Sequence, residues 1–240
     1  MIIHIGTSGW SYKEWKGSFY PPKLPAEGML RHYSARFSAV EVNNSFYRIP
    51  SERVLASWAE QVPDEFRFVM KASRRITHNQ RLKDEDGSLA YFLQAVNPLG
   101  ARLGPTLFQL PPTFKKDTGR LQEFLGRLPR HWPTALEFRH DSWFDDEVYQ
   151  LLHRRDVPLV AVDQDESEGT GAPLVITATW GYLRLRRRQY DPQGLASWAA
   201  RITGQPWSQA YVFLKHEEGS PIGPGAAQEL QAMVQKLPVK

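Results

Sequence analysis

The sequence predicts an α/β protein folded as a (β/α)8 TIM-like barrel with an abbreviated sixth crossover. Its 240 residues are 41% hydrophobic and 23% charged, the composition of an ordinary globular domain. Eight short apolar runs, rich in β-branched or aromatic residues, alternate with segments of helical periodicity. Repeated strand–helix units predict parallel strands with helices outside, and eight units in this length match the barrel. No linker or repeat interrupts them, so residues 1–240 are predicted to form one domain.

The first half of the chain supplies four strand–helix units. The runs IIHI, AVEV, FRFVM and TLFQL predict strands at residues 2–5, 39–42, 66–70 and 106–110. Apolar residues three or four positions apart predict helices over 30–37, 55–62, 89–96 and 121–128. Ser51 is a suitable N-cap for the second helix. The segment GTSG at 6–9 matches no glycine-rich phosphate loop, so the doubly wound open sheet is the less favoured alternative.

The second half supplies four more strands and three helices. The runs ALEF, LVAV, GYLRL and AYVFL predict strands at residues 135–138, 159–162, 181–185 and 210–214. Helical periodicity follows over 148–152, 195–202 and 230–237, and Asp191 before Pro192 forms a good helix start. The segment after the sixth strand contains Gly169, Gly171 and Pro173 and is too short for a full helix with two loops. The sixth crossover is therefore predicted to be irregular.

Composition excludes several classes of function. The absence of cysteine excludes a disulfide framework, a zinc ribbon, an iron–sulfur cluster and a thiol nucleophile. No secretion signal or membrane-spanning run is present, so a cytoplasmic protein with no membrane partner is expected. A net charge of +4 favours an anionic partner, either a small molecule or a nucleic acid. No cofactor and no metal ion are predicted, and the sequence leaves the oligomeric state open.

Polar residues end all eight predicted strands, where a barrel carries its working site. A spacing of i, i+2 places both members of a pair on one face of a strand, as for Glu41 with Asn43, Glu137 with Arg139 and Arg184 with Arg186. The candidate catalytic residues are Glu137 or Asp163 as general base, Lys71 as charge stabiliser, and Glu41. The candidate ligand-binding residues are Asn43, Tyr47, Thr77, His78, Gln109, Arg139, His140, Arg184, Arg186 and Lys215.

Six motifs resemble the DUF72 or YecE-like family, barrels of undetermined biochemical role, over nearly the full length. They are GTSGWSY at 6–12, FYP at 19–21, EVNNSFY at 41–47, Lys71 with ITH at 76–78, LFQLPP at 107–112, and EFRH at 137–140 with Ser142 and Trp143. The resemblance implies a (β/α)8-like barrel and a polar cleft at the strand ends, but no established reaction. RLRR at 184–187 and LKHE at 214–217 depart from the family pattern, with Arg186 and Lys215 in place of His and Asn, as in a basic subgroup.

The basic residues of this chain point to a phosphate group on the ligand. Guanidinium groups bind phosphate through two hydrogen bonds, and Arg184, Arg186, Arg187 and Arg188 form a dense cluster. The sequence therefore predicts a protein that binds, and as an enzyme would hydrolyse, a nucleic acid, a nucleotide or a sugar phosphate. A binding protein without catalysis is the first alternative. In a third interpretation the cluster is a rim network neutralised by nearby carboxylates, at Asp163, Asp165, Glu166 and Glu168.

Three further alternatives follow from the strand-end residues. Glu41 and Glu137 on separate strands would suit a glycosidase pair. A metal site would draw on side chains of ligand type, namely His78, His140, His216, Glu41, Glu137, Glu217 and Asp163, but no HxH or HExxH spacing occurs and nearby cations oppose it. The aromatic residues of the first loop and those after the second strand form either a self-packed lid or a stacking platform: Trp10, Tyr12, Trp15, Phe19, Tyr20, Phe46 and Tyr47.

Overall fold

Strands and helices alternate through the part of the chain that the computed structural model describes, residues 1–165, 167, 169, 171–215 and 222–238. The strands are β1 (Ile2–Thr7), β2 (Ala39–Val42), β3 (Arg67–Lys71), β4 (Leu103–Gln109), β5 (Thr134–Glu137), β6 (Ala161–Asp163), β7 (Trp180–Leu185) and β8 (Gln209–Leu214). The helices are α1 (Ala26–Ser34), α2 (Glu52–Glu60), α3 (Ser88–Val96), α4 (Thr118–Arg127), α5 (Asp146–His153), α6 (Pro192–Thr203) and α7 (Ile222–Lys236). Every predicted strand and helix overlaps an observed one.

Aspartate side chains cap three of the helices. Asp117, Asp145 and Asp191 each accept a hydrogen bond from a backbone N–H in the first turn of α4, α5 and α6. The helix start predicted at Asp191 is therefore confirmed. Ser51 holds the N-cap position of α2 in an extended conformation, but its side chain makes no capping hydrogen bond. None of the helices in the described ranges is long and apolar enough to cross a membrane.

The strands form two parallel sheets of four strands each. One sheet has the order β1-β8-β7-β6 and the other has the order β2-β3-β4-β5. Isolated bridges join the sheets at two seams, between Ser8 and Glu41 and between Leu136 and Leu159. The structure confirms an α/β fold with parallel sheets. The complete eight-stranded barrel is not confirmed, because the hydrogen-bonded ladder is not closed at either seam.

The hydroxyl group of Tyr33 occupies the seam between β1 and β2. The Thr7 N–H donates to this hydroxyl at 2.8 Å, and the hydroxyl is 3.1 Å from the Ala39 carbonyl oxygen, to which it donates. A side chain of α1 thus replaces a direct strand-to-strand hydrogen bond. Gly6 permits the close approach, since a Cβ atom there would lie 2.0 Å from the Ala39 oxygen.

The sixth crossover is short, as predicted. The described residues between β6 and β7 contain no α-helix. Instead the chain folds back, and Ala172 exchanges two backbone hydrogen bonds of 3.0 Å with Val162 in an antiparallel bridge. Gly171 allows this turn because its φ is 73° and a Cβ atom there would meet the Val162 oxygen at 2.4 Å.

Side-chain alternation sets the position of the polar strand ends. Strand residues of one face form a buried apolar cluster that includes Ala39, Val69, Leu107, Ala135, Val160, Tyr182, Tyr211 and Phe213. The residue two positions further along a strand faces the same way. Four buried polar side chains therefore follow this cluster in the next layer: Glu41 after Ala39, Gln109 after Leu107, Glu137 after Ala135, and Arg184 after Tyr182.

Candidate functional site

Arg184, Glu41 and Glu137 form a buried ion cluster, the Arg184 cluster, at the carboxyl ends of β7, β2 and β5. Arg184 donates from Nη2 to Glu41 Oε1 at 2.8 Å and from Nη1 to Glu137 Oε2 at 2.7 Å. All three residues are 2% exposed or less. Burial alone would lower the pKa of Arg184, but the charges of Glu41 and Glu137 outweigh desolvation and raise that pKa above its ordinary value. One guanidinium thus pairs two carboxylates in a fixed geometry.

Three neutral side chains complete the hydrogen bonding of Glu41. Its Oε2 accepts from the Tyr182 hydroxyl at 2.7 Å, and its Oε1 accepts from Ser8 Oγ and from Asn43 Nδ2, both at 2.9 Å. Burial alone would raise the pKa of Glu41. The charge of Arg184 and these hydrogen bonds outweigh burial and lower that pKa to about 2. Glu41 is therefore ionised at neutral pH.

Gln109 connects Glu137 to Lys71. Its Nε2 donates to Glu137 Oε1 at 2.7 Å, and its Oε1 accepts from Lys71 Nζ at 2.9 Å. Burial would raise the pKa of Glu137, but the charges of Arg184 and Arg186 lower it below its ordinary value. Both carboxylates of the Arg184 cluster are consequently ionised and fully engaged.

An open cleft of about 450 Å³ has Arg184 in its wall. This cavity, the basic cleft, is lined by Ser8, Tyr12, Asn43, Phe46, Tyr47, Lys71, His78, Gln109, Arg139, Arg184, Arg186 and Lys215. Five of them are lysine or arginine, and none is acidic. The cleft is therefore electropositive.

Lys71 and two arginines carry much of this charge. Lys71 Nζ lies 4.4 Å from the ring centroid of Phe46, and burial, followed by the charge of Arg184, lowers the pKa of Lys71 to about 8. Burial and Arg184 also lower the pKa of Arg186. Within the described part of the chain, neither Arg139 nor Arg186 has a carboxylate partner for its side chain. An incoming anion meets these guanidinium groups unneutralised.

The structure brings most of the predicted site residues together. Nine line the basic cleft: Asn43, Tyr47, Lys71, His78, Gln109, Arg139, Arg184, Arg186 and Lys215. Glu41 and Glu137 bind Arg184 beneath it. Thr77 is buried, with its hydroxyl 2.9 Å from Nδ1 of His78, so it orients that ring. His140 lies apart from the lining, and its Nδ1 accepts a hydrogen bond from the Ser142 N–H.

Asp163 does not share the cleft, contrary to the prediction that it converges with the other strand ends. Its Oδ1 accepts from Arg187 Nε and its Oδ2 accepts from Trp198 Nε1, both at 2.8 Å. Val162, one residue earlier, packs in the apolar cluster on the inner face of the strands. Alternation therefore turns Asp163 outward, toward α6, and removes it from the candidate general bases.

The arginine cluster predicted from the sequence divides into two halves. Arg187 pairs with Asp163, and the backbone N–H of Arg188 donates to Asp165 Oδ2 at 3.0 Å. These two arginines therefore contact the aspartates at the end of β6 and just beyond it. Arg184 and Arg186 line the basic cleft instead. Four residues of the sequence-predicted clusters lie outside the described residues, namely Glu166, Glu168, His216 and Glu217. Among the described residues no three His, Asp or Glu side chains form a group that could hold a metal ion.

The aromatic residues of the first loop also divide. Trp15, Phe19 and Tyr20 pack on one another with ring centroids 4.8–6.0 Å apart, as expected for a self-packed segment. Tyr12 lines the basic cleft together with Phe46. Ser8 and Tyr182 were missed as site residues, whereas Tyr12 and Phe46 belong to the aromatic set for which the sequence left a lid or a stacking platform open. The signal for Tyr182 was its position two residues before Arg184 on the same strand face.

Comparisons with known proteins place this architecture in one family. The model of a protein of unknown function, DUF72, matches residues 4–239. UPF0759 protein YunF of Bacillus subtilis is 32% identical over 229 residues, which are 90% of this chain and 79% of that protein. UPF0759 protein YecE of Escherichia coli K12 is 32% identical over 168 residues, which are 68% of this chain. The matched stretch spans 59% of the length of YecE.

Two solved structures have the same fold. A DUF72 family protein from Thermotoga maritima superposes with a TM-score of 0.80 at 26% identity and covers 98% of this chain and 100% of that one. A DUF72 family protein from Enterococcus faecalis also gives a TM-score of 0.80, at 20% identity, with 98% and 96% covered. The family model and the curated relatives agree with the resemblance seen in the sequence. The chain therefore belongs to the DUF72 family.

Proposed function

We propose that the basic cleft binds a phosphate-bearing ligand: a nucleotide, a sugar phosphate or a nucleic acid. One observation carries the proposal. Five basic side chains line the cleft, none of its lining residues in the described part of the chain is acidic, and the two carboxylates beneath it are already paired with Arg184. These groups leave a formal excess of three positive charges. Such a cleft attracts anions, and guanidinium groups match the oxygen atoms of a phosphate group.

Arg184 Nε is buried and has no hydrogen-bond partner within the described residues. A buried donor without an acceptor costs about 1–3 kcal/mol. Because Nε is shielded from solvent, a phosphate oxygen would satisfy this donor only after the side chains that cover it move aside.

Hydrolysis of the bound phosphoester is a second candidate function, with a different base from those the sequence offered. Both oxygens of Glu137 accept hydrogen bonds, and Asp163 faces away, so neither is placed to take a proton from water. Lys71 lies in the cleft, and its pKa of about 8 leaves a fraction of neutral amine at neutral pH. In this proposal neutral Lys71 takes a proton from water as the water oxygen bonds to phosphorus and the P–O ester bond breaks, and the resulting ammonium gives that proton to the departing alcohol oxygen. Arg186 stabilises the charge on the phosphoryl oxygens.

A glycosidase is not favoured by this geometry. Such an enzyme needs one protonated and one ionised carboxyl group flanking the sugar. Glu41 and Glu137 share one guanidinium, are almost fully buried, and both have a lowered pKa. Neither carboxyl group supplies a proton at neutral pH.

We also propose that the two sheets together form one (β/α)8 barrel, since bridges at Ser8 and Leu136 join their edges.

A direct binding test uses matched pairs of ligands that differ in the phosphate group. Isothermal titration at low salt compares ribose 5-phosphate with ribose, adenosine 5′-phosphate with adenosine, and a short single-stranded oligonucleotide. We expect each phosphorylated member to bind and its partner to bind at least tenfold more weakly. Equal affinity within every pair, or binding of none, contradicts the proposal. A steep fall of affinity with salt, seen for the oligonucleotide alone, identifies a nucleic acid as the ligand.

Replacing Arg186 by glutamine is expected to weaken binding of ribose 5-phosphate about tenfold. The reason is the loss of one charge-assisted hydrogen bond, of about 1.5–3 kcal/mol. Arg186 is half-buried and has no ion pair within the described residues, so folding is expected to be retained. The matched control is Arg130→Gln, an exposed arginine before β5, at the opposite end of the sheets. Equal loss in both variants would point to a diffuse charge effect and not to a site.

A further inference from the structure

A second cavity, the side pocket, adjoins the basic cleft. It has a volume of about 350 Å³ and lies between the ends of β1 and β2 and the helices α1 and α2. Its lining residues are Gly9, Trp10, Ser11, Tyr12, Ala26, Glu27, Leu30, Val42, Asn43, Asn44, Trp58 and Gln61. Nothing in the proposed phosphate site uses it.

Tyr12 and Asn43 line both cavities and so form their common wall. Both side chains are held in place: the Tyr12 hydroxyl donates to the Ser8 carbonyl at 2.7 Å, and Asn43 Nδ2 donates to Glu41 at 2.9 Å. Gly9 permits the position of Tyr12, because a Cβ atom at Gly9 would lie 2.4 Å from its hydroxyl oxygen. A ligand with two parts can therefore place one part on each side of a fixed wall.

The lining of the side pocket combines a flat aromatic surface with hydrogen-bonding groups. Trp10 meets Trp58 edge to face, with ring centroids 4.8 Å apart, and the buried side chains of Leu30 and Val42 add apolar surface. Polar lining comes from the amides of Asn43, Asn44 and Gln61, the hydroxyl of Ser11 and the carboxylate of Glu27. Apolar faces with donors and acceptors at the rim suit a planar heterocycle that carries polar edge atoms.

We propose that the side pocket binds the base of a nucleoside phosphate whose phosphate group lies in the basic cleft. This inference rests on the proposed function and narrows its ligand to a nucleotide. The sugar then passes the wall formed by Tyr12 and Asn43. A sugar phosphate without a base would leave the side pocket unused and bind more weakly.

The test fills the side pocket without changing the basic cleft. Ala26 is exposed at the start of α1 and lines the side pocket, so Ala26→Trp introduces bulk there without replacing a core residue. Ala200→Trp, on an exposed face of α6, is the matched control. Isothermal titration with adenosine 5′-phosphate and ribose 5-phosphate separates the two parts of the ligand. We expect the unmodified protein to bind the nucleotide at least about tenfold more tightly, as base stacking contributes that much or more.

In Ala26→Trp the nucleotide is expected to lose this advantage, while ribose 5-phosphate binds as before; Ala200→Trp changes neither. Arg186→Gln should weaken both ligands alike, which marks the basic cleft as a separate determinant. Equal affinity of the two ligands for the unmodified protein overturns the side-pocket inference and leaves the phosphate proposal intact, whereas binding of neither overturns both. Should Ala26→Trp fail to fold, Glu27→Trp fills the same pocket from the next residue. Its affinities for adenosine 5′-phosphate and ribose 5-phosphate then test the side-pocket inference in the same way.

Discussion

Arg184→Gln is expected to lower the free energy of unfolding by about 3–5 kcal/mol, the usual cost of leaving a buried charge without its partner. The cost here falls at the upper end or above, because one guanidinium pairs both Glu41 and Glu137. The melting temperature should fall by on the order of 10 °C in a chain of this size. Thermal unfolding followed by circular dichroism measures it, with the exposed Arg130→Gln as control.

The free energy of unfolding of Arg184→Gln is expected to respond to mild acidification in the opposite sense to that of the unmodified protein. In the unmodified protein the pKa of Glu41 is about 2, below its ordinary value of 4.5. The stability that ionised Glu41 contributes to the folded protein is thus complete above about pH 4.5 and is lost as pH falls toward 2. Without Arg184 the two buried carboxylates favour the protonated form, so the variant should gain stability on mild acidification. The difference between the two proteins is expected to narrow progressively as the pH is lowered from 8 toward 4. A constant difference from pH 8 to pH 4 contradicts the assignment of the cluster as an ion pair.

Local pattern predicted the elements and most of the site, because both depend on alternation along single strands. Ala39 and Glu41 share a face, as do Ala135 and Glu137, and the structure places both glutamates on Arg184. The prediction that Asp163 lies in the cleft was wrong for a reason that also concerns alternation. The run LVAV does not reveal which of its residues face inward, and the strand ends one position out of phase with the cleft.

The features of the fold and the site that were not predicted depend on contacts between distant segments of the chain. No sequence pattern indicates that the Tyr33 hydroxyl enters the seam between β1 and β2, because the helical spacing of Tyr33 predicts only a packed ring. Which cation pairs with Glu137 was equally open, because Lys71, Arg139 and Arg184 all end strands. In the structure Arg184 is the buried partner of Glu137, and Arg139 is exposed in the cleft. That division separates the structural charges from those available to a ligand.

Raising the pH from 7 to 9.5 is expected to weaken binding of ribose 5-phosphate by up to about tenfold, the contribution of one charged amine. Burial and Arg184 lower the pKa of Lys71 to about 8, so the free protein loses this charge over that range. A bound phosphate dianion favours the protonated amine, and binding above pH 8 therefore takes up a proton. The arginines of the cleft keep their charge throughout. Isothermal titration in buffers of different ionisation enthalpy measures both the affinity and the proton uptake.

Lys71→Gln decides whether Lys71 is the titrating group. The variant should bind ribose 5-phosphate on the order of tenfold more weakly at pH 7, because it lacks one charge-assisted hydrogen bond. Its affinity should then stay nearly constant between pH 7 and 9.5, with no proton uptake. Lys236→Gln, an exposed lysine at the end of α7, should behave as the unmodified protein does. If the pH dependence persists in Lys71→Gln, another group of the cleft titrates, and the lowered pKa of Lys71 does not govern ligand binding.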